Sequence, residues 1–277
     1  MGGHAGEWEA AVGVVFLEAP AQLKSAGRNL AQATPFPMYD FEHFRDRLLR
    51  RTIPFPPHRT RILILDFVAL LLELAHRHED SFKNVERLVI DMRGNPGGGI
   101  GGLTLMSYLT PDRRAIGYSK SREMALNNTP PDRLPVFDRV PRSKLALPTL
   151  AFKFLGKTSI FLYTEALGRR DWHGHTAILV DEHTAGSAEM VAQFAQENNL
   201  ATIVGMKTPG RLVTRRASKL GFGYRLVIPI AAYVSAKGTQ IEGNGVTPDI
   251  SIPWSYEDAA AGVDRQLNGA IEALRAA

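Results

Sequence analysis

Apolar positions along this chain fall into short runs broken by polar or glycine-rich stretches, and the runs follow two different periods. Residues 61–65 (RILIL), 86–91 (ERLVID), 177–180 and 201–204 are short and uninterrupted, the pattern of strands buried on both faces. Helical spacing takes over between them. Residues 67–79 (FVALLLELAHRHE) present a broad apolar face behind Asp66, a residue suited to capping. Residues 99–110 (GIGGLTLMSYLT) predict a second helix, and Met190, Val191, Phe194 and Ala195 mark one face of a third. Residues 222–234 mix β-branched and aromatic side chains and predict one or two strands, and 263–274 predict a C-terminal helix. Strands alternating with helices point to an α/β core with mainly parallel pairing.

Two regions are less regular. In residues 1–60 the pattern allows a strand at 12–17 and a short helix at 41–51 behind Asp40, with proline-rich pieces (TPFPMY, TIPFPPHRT) as extended connections. Residues 111–174 are polar, basic and proline-containing, with a helix-like patch at 145–155. They read as an excursion from the core, a lid or a substrate-facing insertion.

At 277 residues, 44% hydrophobic and 22% charged, the chain has the composition of a globular protein able to bury a sizeable core. Its net charge of +5 is modest. Basic clusters at 45–51 and 211–219 read as solvated faces, because interleaved acids and the lack of aromatic platforms argue against a nucleic-acid partner. The absence of cysteine excludes disulfides, thiolate metal sites and cysteine nucleophiles. No cofactor or metal is expected. No apolar run has the length of a membrane span, and the N-terminal stretch lacks the basic start of a secretion signal, which leaves the compartment open.

Two stretches carry candidate chemistry. Residues 184–211 (TAGSAEMVAQFAQENNLATIVGMKTPGR) read as a small-residue turn, a helix, a strand and a loop. The turn sets the Ser187 hydroxyl at a helix start, where N–H groups outside the helical ladder favour an anion. A serine there is an ordinary cap or a candidate nucleophile, and both readings stand on turn geometry. The other stretch is the strand ending at Asp91, followed by Met92-Arg93-Gly94-Asn95-Pro96-Gly97-Gly98-Gly99. Strand, glycine loop and helix make an anion-cradle layout. It has neither the Lys-Ser/Thr ending of a nucleotide loop nor a dinucleotide glycine spacing.

Taken in order, LVIDMRGNPGGG, TAGSAEMVAQFAQENNLATIVGMKTPGR, IEGNGVTPDI and DRQLNGAIEAL resemble the C-terminal processing (tail-specific) serine peptidases and their tricorn-like and retinoid-binding-protein-like relatives. The resemblance covers residues 60–277, leaving 1–59 as an arm or partial layer. It implies a crotonase/ClpP-like α/β core and peptide-bond hydrolysis through a serine acyl-enzyme, with a peptide or protein substrate laid along a sheet edge. Carried onto this sequence, it implies an oxyanion donor at Gly97 or Gly98 and another from the residue after the nucleophile, Ala188, each such donor worth about 3 kcal/mol of barrier. Arg93 is expected to brace the glycine loop, Asp91 to orient Arg93 or that loop, and Glu189 to bond the turn or the base or to favour the helix start.

The chain departs from the family string Thr-Ala-Ser-x-x-Glu by placing Gly186 in the nucleophile slot and Ser187 one residue later. The processing branch has a lysine base 25 positions after its nucleophile, and that position here is Arg211, which stays protonated. Lys207 substitutes only if its loop turns it inward and burial lowers its pKa. The tricorn-like branch instead implies Glu242 in a polar set with a histidine, for which His43, His58, His76 and His78 are the candidates, His43 and His58 ahead of the two near a helix end. Two further readings stand beside the peptidase: a silent relative that binds peptides or apolar ligands, and an acyl-CoA enzyme of crotonase type.

Overall fold

The computed structural model describes residues 15–16, 51–53, 61–66, 85–97, 101–140, 157–168, 174–222 and 224–277. The helix expected at 67–79, the patch at 145–155 and most of the N-terminal quarter lie outside these residues. In chain order the strands are β1 (Val15–Phe16), β2 (Arg51–Ile53), β3 (Arg61–Asp66), β4 (Val85–Asp91), β5 (Ala115–Ser121), β6 (Val136–Phe137), β7 (Phe161–Tyr163), β8 (His175–Val180), β9 (Thr202–Gly205), β10 (Val213–Gly221), β11 (Tyr224–Ser235) and β12 (Ile250–Ser251). The helices are α1 (Gly101–Tyr108), α2 (Arg122–Leu126), α3 (Ser187–Glu197), α4 (Tyr256–Ala260) and α5 (Arg265–Ala276).

The strands form two sheets. One runs β12-β9-β8-β4-β3-β2 and is parallel except for β2. Its central strands bury both faces, which is why their sequences are unbroken apolar runs. Ile90, Ile178 and Val180 point to one side and pack with Leu105 and Met106 of α1 and Val191 and Phe194 of α3. Val89, Ala177, Leu179 and Val204 point to the other, against Ala270, Ile271 and Leu274 of α5. The apolar face expected on α3 is therefore the buried one.

The second sheet changes the expected picture. It runs β1-β11-β5-β7-β6 with β10 beside β11, and all its pairings are antiparallel except β6 with β7. Three of its strands come from the stretch read as an excursion, and Ile116 of β5 and Tyr233 of β11 sit in the same core as α1 and α3. The α/β assignment stands, but parallel pairing dominates only one layer, the β6–β7 pair being the exception in the other. Among the described residues no helix is long and apolar enough to cross a membrane.

Candidate active site

The glycine loop leaves β4 and the serine turn leaves β8, and because these strands are parallel neighbours both bends emerge at the same sheet edge. They touch backbone to backbone. Ala185 donates its N–H to Asn95 O at 2.8 Å, and Met92 N–H reaches Leu179 O at 3.0 Å. A Cβ added at Gly97 would lie 2.3 Å from Ala185 O and 2.6 Å from Ser187 N, so only glycine permits this approach. Asp181, at the end of β8, fixes the loop from below. Its carboxylate accepts the Gly94 N–H at 2.9 Å while its own N–H donates to the Thr184 hydroxyl.

Ser187 is the first residue of α3, not its cap; Gly186 occupies the cap position with φ 63° and ψ −128°. The serine side chain faces the start of α1, where a Cβ on Gly102 would stand 3.4 Å from its Oγ. A Cβ on Gly186 would point elsewhere, 3.2 Å from Pro96 O, 3.6 Å from Gly97 Cα and 4.0 Å from Arg211 O. The family's nucleophile slot and its lysine slot thus lie side by side, holding Gly186 and Arg211.

Glu189 holds this arrangement together. It is fully buried, and its carboxylate accepts from Gly186 N (3.0 Å), Arg211 N (2.9 Å), Gly210 N (2.7 Å) and the Thr208 hydroxyl (2.6 Å). Of the roles the sequence left open for it, the structure displays the turn-binding one. The loop is held from its other side by the third motif: Gly243 N–H donates to Gly210 O, Val246 N–H to the Thr208 hydroxyl, and Glu242 accepts the Leu212 N–H at 2.6 Å.

Several residues expected at this site have other engagements or lie elsewhere. The Gly97 N–H donates to Asn95 Oδ1 at 2.8 Å, so it is engaged within its own loop. The Ala188 N–H donates to Ala185 O at 3.2 Å, closing the first turn of α3. Lys207 is exposed, because the alternation of the loop turns Thr208 inward in its place. Gly98 and the candidate histidines His43, His58, His76 and His78 fall outside the described residues.

The Arg93 side chain reaches beyond the glycine loop. It donates to both oxygens of Asp91 (2.9 and 2.7 Å), to both of Asp264 (2.9 and 2.8 Å) and to Gln266 Oε1 (3.1 Å), tying the end of β4 to the start of α5. Burial pulls the guanidinium pKa down, but the hydrogen bonds and charges of Asp91 and Asp264 outweigh this and hold it above its ordinary value. Burial likewise pushes Asp264 up, and Arg93 with the Leu267 N–H outweighs it, leaving the carboxyl below its usual range.

The sequence reading passed over three residues. Asn95 had a signal, since an Asn two residues before a glycine suits an Asx turn. Asp181 had one in the Asp-x-x-Thr spacing. Thr208 had none, because its partners lie 19 and 38 residues away.

Comparisons with known proteins place these bends in a family. The sequence profile described as "Peptidase family S41" matches residues 67–252. The chain is 23% identical over 201 residues to the chloroplastic carboxyl-terminal-processing peptidase 3 of Arabidopsis thaliana, covering 72% of this chain and 32% of that protein. It is also 23% identical over 195 residues to the carboxyl-terminal-processing protease of a Picosynechococcus species, covering 69% and 39%. The chain therefore spans about a third of the length of these curated relatives. Among solved structures, mature CPAF complexed with lactacystin superposes with a TM-score of 0.52 at 16% identity, over 82% of this chain and 52% of that one. That likeness speaks for the fold. With the matched profile spanning most of the chain and the glycine loop and serine turn meeting at one sheet edge, this chain belongs to peptidase family S41.

Proposed function

We propose that the protein is a serine-type peptidase of the carboxyl-terminal processing kind, hydrolysing peptide bonds through an acyl-enzyme on Ser187. The observation that carries this reading is the backbone contact between the glycine loop and the serine turn. It sets a hydroxyl at a helix start beside a glycine-rich bend, in a layout suited to holding a carbonyl as negative charge builds on its oxygen. In this reading the core over residues 60–277 is of crotonase/ClpP-like type, residues 1–59 are an accessory arm, and the substrate is an extended polypeptide tail. Glu242 and a histidine from the N-terminal side complete the polar set. The test is labelling with a fluorophosphonate probe alongside a peptide-cleavage assay. Labelling at Ser187 and cleavage that disappears in Ser187→Ala are expected. An unlabelled serine and intact peptides would overturn the assignment.

A second reading, a silent relative that binds polypeptide tails without cutting them, is favoured by the direction of the missing Gly186 side chain. A hydroxyl reaching towards residue 211 would have to come from position 186, and neither Gly186 nor Arg211 can supply a nucleophile or take a proton. This reading expects unlabelled protein that still retains an extended peptide, with cleavage gained in the double variant Gly186→Ser, Arg211→Lys.

A further inference from the structure

From Arg211 to Ile241 the sequence holds six lysines and arginines and not one aspartate or glutamate. Most of that charge sits on the hairpin made by β10 and β11. Residues 214–220 of β10 are exposed one after another, on both faces of the strand, so this half of the hairpin projects from the body. At its end the usual order is inverted: the apolar side chains are the outermost. Phe222 is 93% exposed, Leu220 55% and Tyr224 40%. Leu220 falls at a break in the strand register and Phe222 has a positive φ of 51°, two departures that turn side chains outward.

The charges behind this tip are arranged against their own stability. Lys219 lies directly opposite Arg225 in the register, a like-charge pair that weakens a hairpin. None of Arg215, Arg216, Lys219 and Arg225 pairs with a carboxylate among the described residues. An apolar tip backed by unneutralised cations is complementary to a surface that is apolar within and anionic at its boundary.

The geometry points to the β10–β11 hairpin tip as a docking element for an anionic lipid bilayer, with Leu220 and Phe222 entering the acyl boundary. Lys219 and Arg225 each lie three residues behind Phe222, about 10 Å along the strands, a spacing that sets them among the headgroup phosphates. Arg215 and Arg216 stand about another 10 Å back, where screened attraction to the surface still operates. Nucleic acid fits this surface less well, because the cations are held behind the apolar side chains instead of leading. The inference is independent of whether the site cleaves peptides.

Flotation of the full chain with vesicles tests it. Binding is expected to vesicles of phosphatidylcholine with about one-third phosphatidylserine and to be lost at 1 M salt, with little retention on phosphatidylcholine alone. Lys219→Gln with Arg225→Gln should weaken binding roughly 25-fold, about fivefold for each charge near the surface. Leu220→Ser with Phe222→Ser should weaken it at least about tenfold. Neither variant should melt below wild type, because these side chains are exposed and the first variant also removes a like-charge pair. Phe222→Trp should add to the emission of the three native tryptophans a component that brominated lipids quench beyond any quenching of wild type. Three results would overturn the inference: no flotation with anionic vesicles, equal binding to neutral ones, or a Leu220→Ser, Phe222→Ser variant that binds as wild type. A single-stranded oligonucleotide bound as tightly as vesicles and insensitive to Phe222→Ser would also overturn it, since charge alone would then explain the attraction.

Discussion

Complete burial of the Glu189 carboxylate is tolerable because four donors converge on it. Glu189→Gln keeps the shape but turns one acceptor edge into a donor facing either the Gly186 and Arg211 amides or the Thr208 and Gly210 donors. The expected cost is about 3 kcal/mol, from buried N–H groups left without an acceptor, read as a lowered urea midpoint. A change below about 1 kcal/mol would mean that the donors find other partners. Helix spacing showed only that Glu189 stood in the first turn of α3; its partners sit on a loop 19 to 22 residues on, where no local rule reaches. Gly186 was legible as a departure from the family string, while the reason for glycine there was not. Its backbone lies in a region that costs other residues on the order of 1–3 kcal/mol, so a serine in that slot would carry strain that the present chain avoids.

Among the elements, β3, β4, β8 and β9 of the parallel sheet were legible as unbroken apolar runs, whereas β2 and β12 at its edges are too short to show a pattern. β10 escaped notice for another reason. Its residues 214–219 (TRRASK) are exposed on both faces and carry no alternation, so only pairing with β11 makes them a strand. Helix α5 was legible from its spacing, but its attachment through Arg93 was not, since Asp264 lies 171 residues away from it. That attachment has a pH signature. The folded-state pKa of Asp264 is depressed, so its contribution is present above the ordinary value of 3.8 and is lost as pH falls through the lower folded value. Asp264→Asn should therefore cost about 1 kcal/mol near pH 7, a figure discounted because the side chain is 40% exposed. The gap in thermal midpoint between the variant and wild type should narrow below about pH 4. A gap unchanged at pH 3 would assign the loss to packing in place of charge.

For the molecule as a whole, the two sheets and α5 divide the interior into two apolar clusters on opposite faces of the parallel sheet. Among the described residues the cluster under α5 is the smaller, and none of its members belongs to the serine turn. Leu274→Ala should lower stability by about 2–5 kcal/mol through the cavity it leaves, while the chemistry of Ser187 towards a fluorophosphonate stays as in wild type below the melting transition. A variant that melts as wild type would show that α5 can settle into the space. The α/β class was readable because the parallel layer dominates the sequence pattern. Of the antiparallel second layer β11 was readable, from residues 222–234; β5, β6 and β7 lie in the stretch read as an excursion, and the partner of β5 in β11 is distant in the chain.

The contact of Gly97 with Ala185 and Ser187 has one more consequence. Where main chain meets main chain, the neighbouring side chains are free to diverge without moving the junction, and a fold shared at 16% identity is what such freedom allows. One methyl group at Gly97 would act as a wedge, prying apart two bends that the loss of many side chains elsewhere would leave seated.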